Sequence, residues 1–173
     1  MDFSPRRWAK RVEHLYRGQH SRPLRGYLTV LGVYGGLCGG TALLAKKLGR
    51  TPPEFGLADT VRLSVATHKL SRLLSKDAVT SPLRAPFARY ESQAGDAEVM
   101  ESPRGTGAQH AAGELLTCPF CLAVWIASGL TAGFVFAPRV ARTVCTGLTA
   151  VAVSDTLQLI YDAAKKGAEK AGT

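Results

Sequence analysis

The chain has 173 residues, enough for one modest architectural unit and too few for two cores of ordinary size. Hydrophobic residues make up 46% of it, yet the mean hydropathy is only +0.02, because apolar residues gather in blocks between polar stretches; this excludes a disordered chain and argues against an ordinary soluble domain. Four scattered cysteines exclude a disulfide-rich secreted scaffold, and a formal charge of +9 narrows the partners to nucleic acid, anionic lipid or the cytoplasmic side of a membrane.

Residues 1–26 form a basic arm. Ser4 and Pro5 suit the N-cap and first turn of a helix, and Trp8, Val12, Leu15 and Tyr16 recur at helical spacing opposite Arg6, Arg7, Lys10, Arg11 and Arg17. This predicts an amphipathic helix on the anionic inner leaflet, with a solvated basic arm as the alternative; no recognisable nucleic-acid module is present, so nucleic acid is not an expected partner. The arm is expected to be retained, because no small-residue cleavage pattern ends the apolar run that follows it.

Tyr27 to Ala45 runs without a charge between Arg25 and Lys46 and, at ~1.5 Å per residue, spans ~28 Å, one bilayer crossing. Gly32, Gly36 and Gly40 form a G-x3-G-x3-G ladder within it, a glycine zipper that lets a second helix approach closely. That helix is either another copy of the chain, giving a homo-oligomer, or another span of the same chain.

Residues 57–74 have helical length but carry Asp59, Arg62, His68, Lys69 and Arg72. Leu63, Ala66, Leu70 and Leu74 share one face, and Arg62, Lys69, Arg72 and Lys76 form a basic stripe on another. Such a helix either lies in the interface or crosses the membrane with its stripe facing protein. Ser81-Pro82 and Ala85-Pro86 then limit helix continuation and place Lys76 and Arg84 at the inner surface, as ordinary anchors or as a site for headgroups or an anionic partner. Residues 91–113, acidic, rich in small residues and aperiodic, predict a flexible loop without fixed structure.

Cys118-Pro119-Phe120-Cys121 opens the next apolar run, with Pro119 in its first turn, so both thiols sit at a helix N-terminus where the dipole favours thiolate. Thiol-redox chemistry or zinc binding is one reading, with His110 and Glu114 as further candidate ligands; packing of two small residues at the membrane surface is the other. Cys38 and Cys145 read as packing residues. Residues 119–137 form a charge-free span, and 140–161 a last one interrupted by Arg142, which can snorkel to the interface, and by Asp155, which cannot. An intramembrane acid needs a partner, and Lys69 and Arg72 lie at comparable depth. Lys69, Arg72, Asp77, Arg84 and Asp155 thus make up a candidate polar cluster near the inner face, before the basic tail 162–173.

With four crossings, fourteen Lys and Arg fall inside and five outside; with three, the division is thirteen against nine, so the positive-inside rule favours four. The fold class expected is therefore an all-α integral membrane bundle, four crossings favoured over three, multi-pass in the inner membrane with both termini cytoplasmic. Residues 67–87, LTCPFCLAVW at 116–125 and SDTLQLIY at 154–161 resemble the signature segments of the domain-of-unknown-function 1360 family of small bacterial membrane proteins. Arg72, Leu73, Asp77, Thr80, Pro82, Arg84, Pro86 and Phe87 carry the first of these. The resemblance covers roughly residues 57–161 and implies membrane location without an established activity. The expected function is a structural, accessory or partner-binding one, with no cofactor; thiol-redox or metal binding at Cys118 and Cys121 is the rival.

Overall fold

The computed structural model describes residues 5–17 and 22–171; Ser4, read above as an N-cap, and the last two residues of the basic tail lie outside them. In chain order the elements are α1 (Pro5–Arg17), α2 (Leu24–Lys47), α3 (Leu57–Ser75), a 3-10 turn (Ala78–Thr80), α4 (Ser81–Arg84), β1 (Ala88–Gln93), β2 (Val99–Pro103), α5 (Gly107–Thr117), α6 (Pro119–Phe136) and α7 (Pro138–Ala171). Among the described residues, α2, α6 and α7 are long and apolar enough to cross a membrane. The chain divides into two compact units, Met1–Gly40 with Leu74–Pro119, and Thr41–Leu73 with Phe120–Thr173.

In the second unit α3, α6 and α7 share a core of Ala66, Phe134, Ala141 and Cys145, with Leu63, Leu130 and Leu148 packed against it. Small side chains on α3 and α7 let the backbones approach, and Phe134 fills the space between. Pro138 starts α7 one residue after Phe136 of α6 has been passed; its locked φ and missing N–H suit a first turn, so the chain reverses with Ala137 alone between the helices. α2 ends in a Schellman motif: Gly49, at φ 62°, donates its N–H to Lys46 and Arg50 donates to Ala45, satisfying carbonyls that the helix end leaves open.

The first unit corrects two expectations. Residues 91–113 are not a structureless loop, and the chain is not wholly α-helical. β1 and β2 form an antiparallel hairpin with Ala88 opposite Pro103 and Gln93 opposite Val99, and a bulge lies between Tyr90 and Ser92. α5 follows at once. The physical reason is that the hairpin is held from outside its own sequence. Ala78 donates to Ala97, Val99 to Lys76 and Arg104 to Phe87, while Ala88 and Val99 are buried. Two glycines let α5 seat against its neighbours. A methyl at Gly113 would overlap the Phe87 carbonyl and press on Pro103 at 3.0 Å, and one at Gly26 would overlap the Gly107 carbonyl and meet Ala111 at 3.0 Å.

Candidate functional site

The most completely built polar site centres on Arg84 of α4, whose side chain is 1% exposed. A guanidinium buried to that degree must have every N–H satisfied. Its Nε donates to Glu101 Oε2 at 2.5 Å and its Nη2 to Glu101 Oε1 at 3.3 Å, a two-pronged pairing with an acid on β2. Nη1 donates to the Leu74 carbonyl at 2.9 Å and to Thr80 Oγ1 at 2.6 Å, and Nη2 to the Asp77 carbonyl at 3.0 Å and Ser81 Oγ at 3.1 Å. One side chain thereby ties together the end of α3, the 3-10 turn, α4 and the hairpin. Pro82 in the first turn of α4 and the extended backbone of Asp77 (ψ 137°) set the bend that aims these groups at it.

A second site joins the start of α2 to α5. Glu114 accepts a hydrogen bond from the Tyr27 hydroxyl at 2.5 Å and pairs with Arg22 at 3.0 Å, while His110 Nε2 stands 3.7 Å away. The hydrogen bond with Tyr27, followed by the charges of Tyr27 and Glu114, holds the Arg22 guanidinium above its ordinary pKa. Glu114 is thus engaged by a cation and a hydroxyl rather than turned toward the cysteines.

In the second unit α3 and α7 are joined by a ladder of polar contacts. Asp59 receives Arg142 through Nε at 3.2 Å and Nη2 at 2.9 Å, with Arg62 adding a bond at 3.2 Å. Arg142 also stands over the Phe134 ring, 5.9 Å from its centroid, while its side chain remains 44% exposed. The Thr149 hydroxyl donates to the Arg62 carbonyl at 3.3 Å, and Lys69 Nζ meets Asp155 Oδ2 at 2.8 Å. Early residues of α3 meet early residues of α7 and late meet late, so the two helices run in the same direction side by side.

Of the five residues read as one polar cluster, Lys69 and Asp155 are paired in the second unit. Asp77 and Arg84 are joined in the first, through the backbone carbonyl of Asp77 rather than its carboxylate. Arg72 lies three residues beyond Lys69 on α3. Glu101, Tyr27 and Asp59 were not among the expected site residues, and Glu114 was weighed only as a metal ligand. Glu101 had a signal, since the only acidic stretch near Arg84 in sequence is the one that holds it.

Cys118 is half-buried in extended backbone (φ −106°, ψ 107°) between α5 and α6, and Cys121 is exposed in the first turn of α6. Cys145 is in the core, whereas Cys38 is exposed on α2 and is not the packing residue expected. Among the described residues no group of three or more His, Cys, Asp or Glu side chains is arranged to hold a metal ion. Around Gly32, Gly36 and Gly40 no atom outside the local helix lies within 4 Å of where a Cβ would stand.

A mostly helical chain with three helices apolar enough to cross a membrane is of a kind compatible with a membrane protein. The chain belongs to the family described as protein of unknown function (DUF1360), whose match covers residues 62–161. Within that stretch lie Lys69, Arg84, Glu101, both CPFC cysteines and Asp155. It is also similar to the sporulation protein YjcA of Bacillus subtilis (strain 168), 38% identical over 73 residues, covering 40% of this chain and 62% of that protein. The chain therefore matches less than two thirds of that relative's length. No solved structure matches it.

Proposed function

We propose that the protein is a non-catalytic, four-crossing membrane protein of the inner membrane that acts as a structural or partner-binding component in spore formation. The segments before α2 and after Tyr161, and the Arg84-locked hairpin, stand on the cytoplasmic side. The observation that carries the topology is the shared direction of α3 and α7. With four crossings and α2 leaving the cytoplasm, α3 and α7 both return toward it. A helix lying flat in the interface would not meet α7 at contacts ~15 Å apart along one axis and ~20 Å along the other. The charges that kept α3 from reading as a span, Asp59 and Lys69, face partners on α7, which lowers the cost of placing them in lipid. The paired charges support a scaffold better than a reaction centre, and the open glycine ladder of α2 supports a partner helix, a second copy among the candidates. The relative's name supports the sporulation setting.

Topology is tested by impermeant maleimide on intact cells, using Arg50→Cys or Gly95→Cys in a background without other cysteines. Position 50 should label and position 95 should not. Three crossings put both positions on one side, so equal labelling of the two would remove the fourth crossing. For the physiological role, deletion of the gene in its own host should lower the yield of heat-resistant spores. Restoration by the Cys118→Ser, Cys121→Ser double variant is expected, since thiol chemistry is not invoked; an unchanged spore yield on deletion would end the sporulation reading.

A further inference from the structure

α1 carries an apolar stripe that is exposed among the described residues: Trp8 is 58% exposed, Val12 37%, Leu15 72% and Tyr16 65%. Exposing that stripe to water costs free energy, so it calls for an occupant. The position of α1 narrows the choice. Glu13 on its far side stands 3.6 Å from Arg25, in the first turn of α2, and this holds α1 at the level where the first apolar helix begins. Arg11 is exposed beside the stripe, and Arg7 is exposed one turn before it. Trp8 and Tyr16 are the residue types that prefer the headgroup layer, with an apolar body and a polar edge. A second copy of α1 is disfavoured by charge, because the sequence from Pro5 to Arg17 holds five Lys and Arg against one Glu. An anionic surface complements that charge.

We propose that α1 is a docking surface for anionic phospholipid, with Trp8, Val12, Leu15 and Tyr16 seated in the headgroup layer of the cytoplasmic leaflet and Arg7 and Arg11 meeting lipid phosphates. The inference rests on the reading that α2 enters a membrane beside it. It gives the protein a second hold on the bilayer, and one that depends on lipid charge where the apolar helices do not. Each basic residue near an anionic surface changes partitioning about fivefold, so losing two changes it roughly 25-fold.

The test uses the full chain in vesicles of phosphatidylcholine alone or with a third phosphatidylglycerol. Trp125→Phe leaves Trp8 as the reporter, and Trp8→Phe leaves Trp125 of α6. In anionic vesicles Trp8 should be blue-shifted and shielded from acrylamide; in neutral vesicles it should be accessible. The Arg7→Gln, Arg11→Gln double variant should restore accessibility in anionic vesicles while leaving helix content unchanged. Trp8 equally accessible in both vesicles would overturn the proposal. Trp8 equally shielded in both would also overturn it, pointing to a protein contact instead. Trp125 should be quenched by brominated acyl chains whatever the headgroup charge. Failure of that arm would remove the membrane-crossing reading itself, whereas failure of the Trp8 arm with Trp125 quenched removes only the docking.

Discussion

Replacing Arg84 with alanine is expected to destabilise the hairpin and its surroundings by about 3–5 kcal/mol, the scale for removing one partner of a buried ion pair. The expectation follows from the count of groups left behind. Glu101, 5% exposed, would keep its charge with no cation beside it, and the Leu74 and Asp77 carbonyls would each lose a donor. Lysine should not rescue the variant, because an ammonium cannot reach two carboxylate oxygens, two carbonyls and two hydroxyls with the geometry of a planar fork. Removing both charges together, as Arg84→Met with Glu101→Leu, should recover part of the loss. The measurement is thermal unfolding in mild detergent together with protease cleavage between residues 88 and 103. An Arg84→Ala protein that melts with the wild type and resists cleavage equally would show that this cluster does not hold the hairpin.

The second large effect is expected at the other end of the chemistry, in the α3 to α7 ladder. On the proposed four-crossing reading, which puts the 45% exposed Asp155 side chain in lipid, Asp155→Asn or Lys69→Gln alone should cost about 3 kcal/mol, because each leaves one charge without its counter-ion. The double variant should cost less than the sum of the two, with a coupling of about 1–3 kcal/mol. Asp155→Asn combined with Arg142→Gln should be additive instead, since those positions lie thirteen residues apart on one helix, ~20 Å along its axis. Additivity of Lys69→Gln with Asp155→Asn would dissolve the rung and with it the main support for α3 as a crossing helix.

Legibility differed from element to element for physical reasons. Helices declare themselves locally: Pro5, Pro119 and Pro138 each open one, and charge-free runs set the extent of α2 and α6. A basic partner for Asp155 was also legible, since an acid in an apolar helix demands a cation and helix arithmetic left Lys69 and Arg72 at its depth, without choosing between them. Asp59 with Arg142 was not, because a cation near a span's end has the surface as an alternative and the sequence does not choose between them. The hairpin was hidden for another reason. Its bulge at Tyr90 and Ser92 breaks the two-residue alternation, its strands are exposed on most positions, and what orders them is a guanidinium seventeen residues away from its acid. Gly26 and Gly113 read as ordinary small residues until the backbones that crowd them are in place.

α7 runs 34 residues without interruption, ~51 Å of rod against a hydrocarbon layer of ~30 Å. On the proposed crossing, a rod longer than the slab responds to thickness by leaning, and the response grows with distance from its pivot. Pivoted at Asp155, sixteen residues or ~24 Å from Ala171, a lean of about 10° sweeps that end sideways by roughly 4 Å. With the ion pair of Lys69 and Asp155 as its fulcrum, the segment from Asp155 to Ala171 behaves as one arm of a lever. Anything seated on Lys165, Lys166 or Lys170 would be carried by that arm, so thinning or thickening of the bilayer would be converted into lateral displacement above its surface.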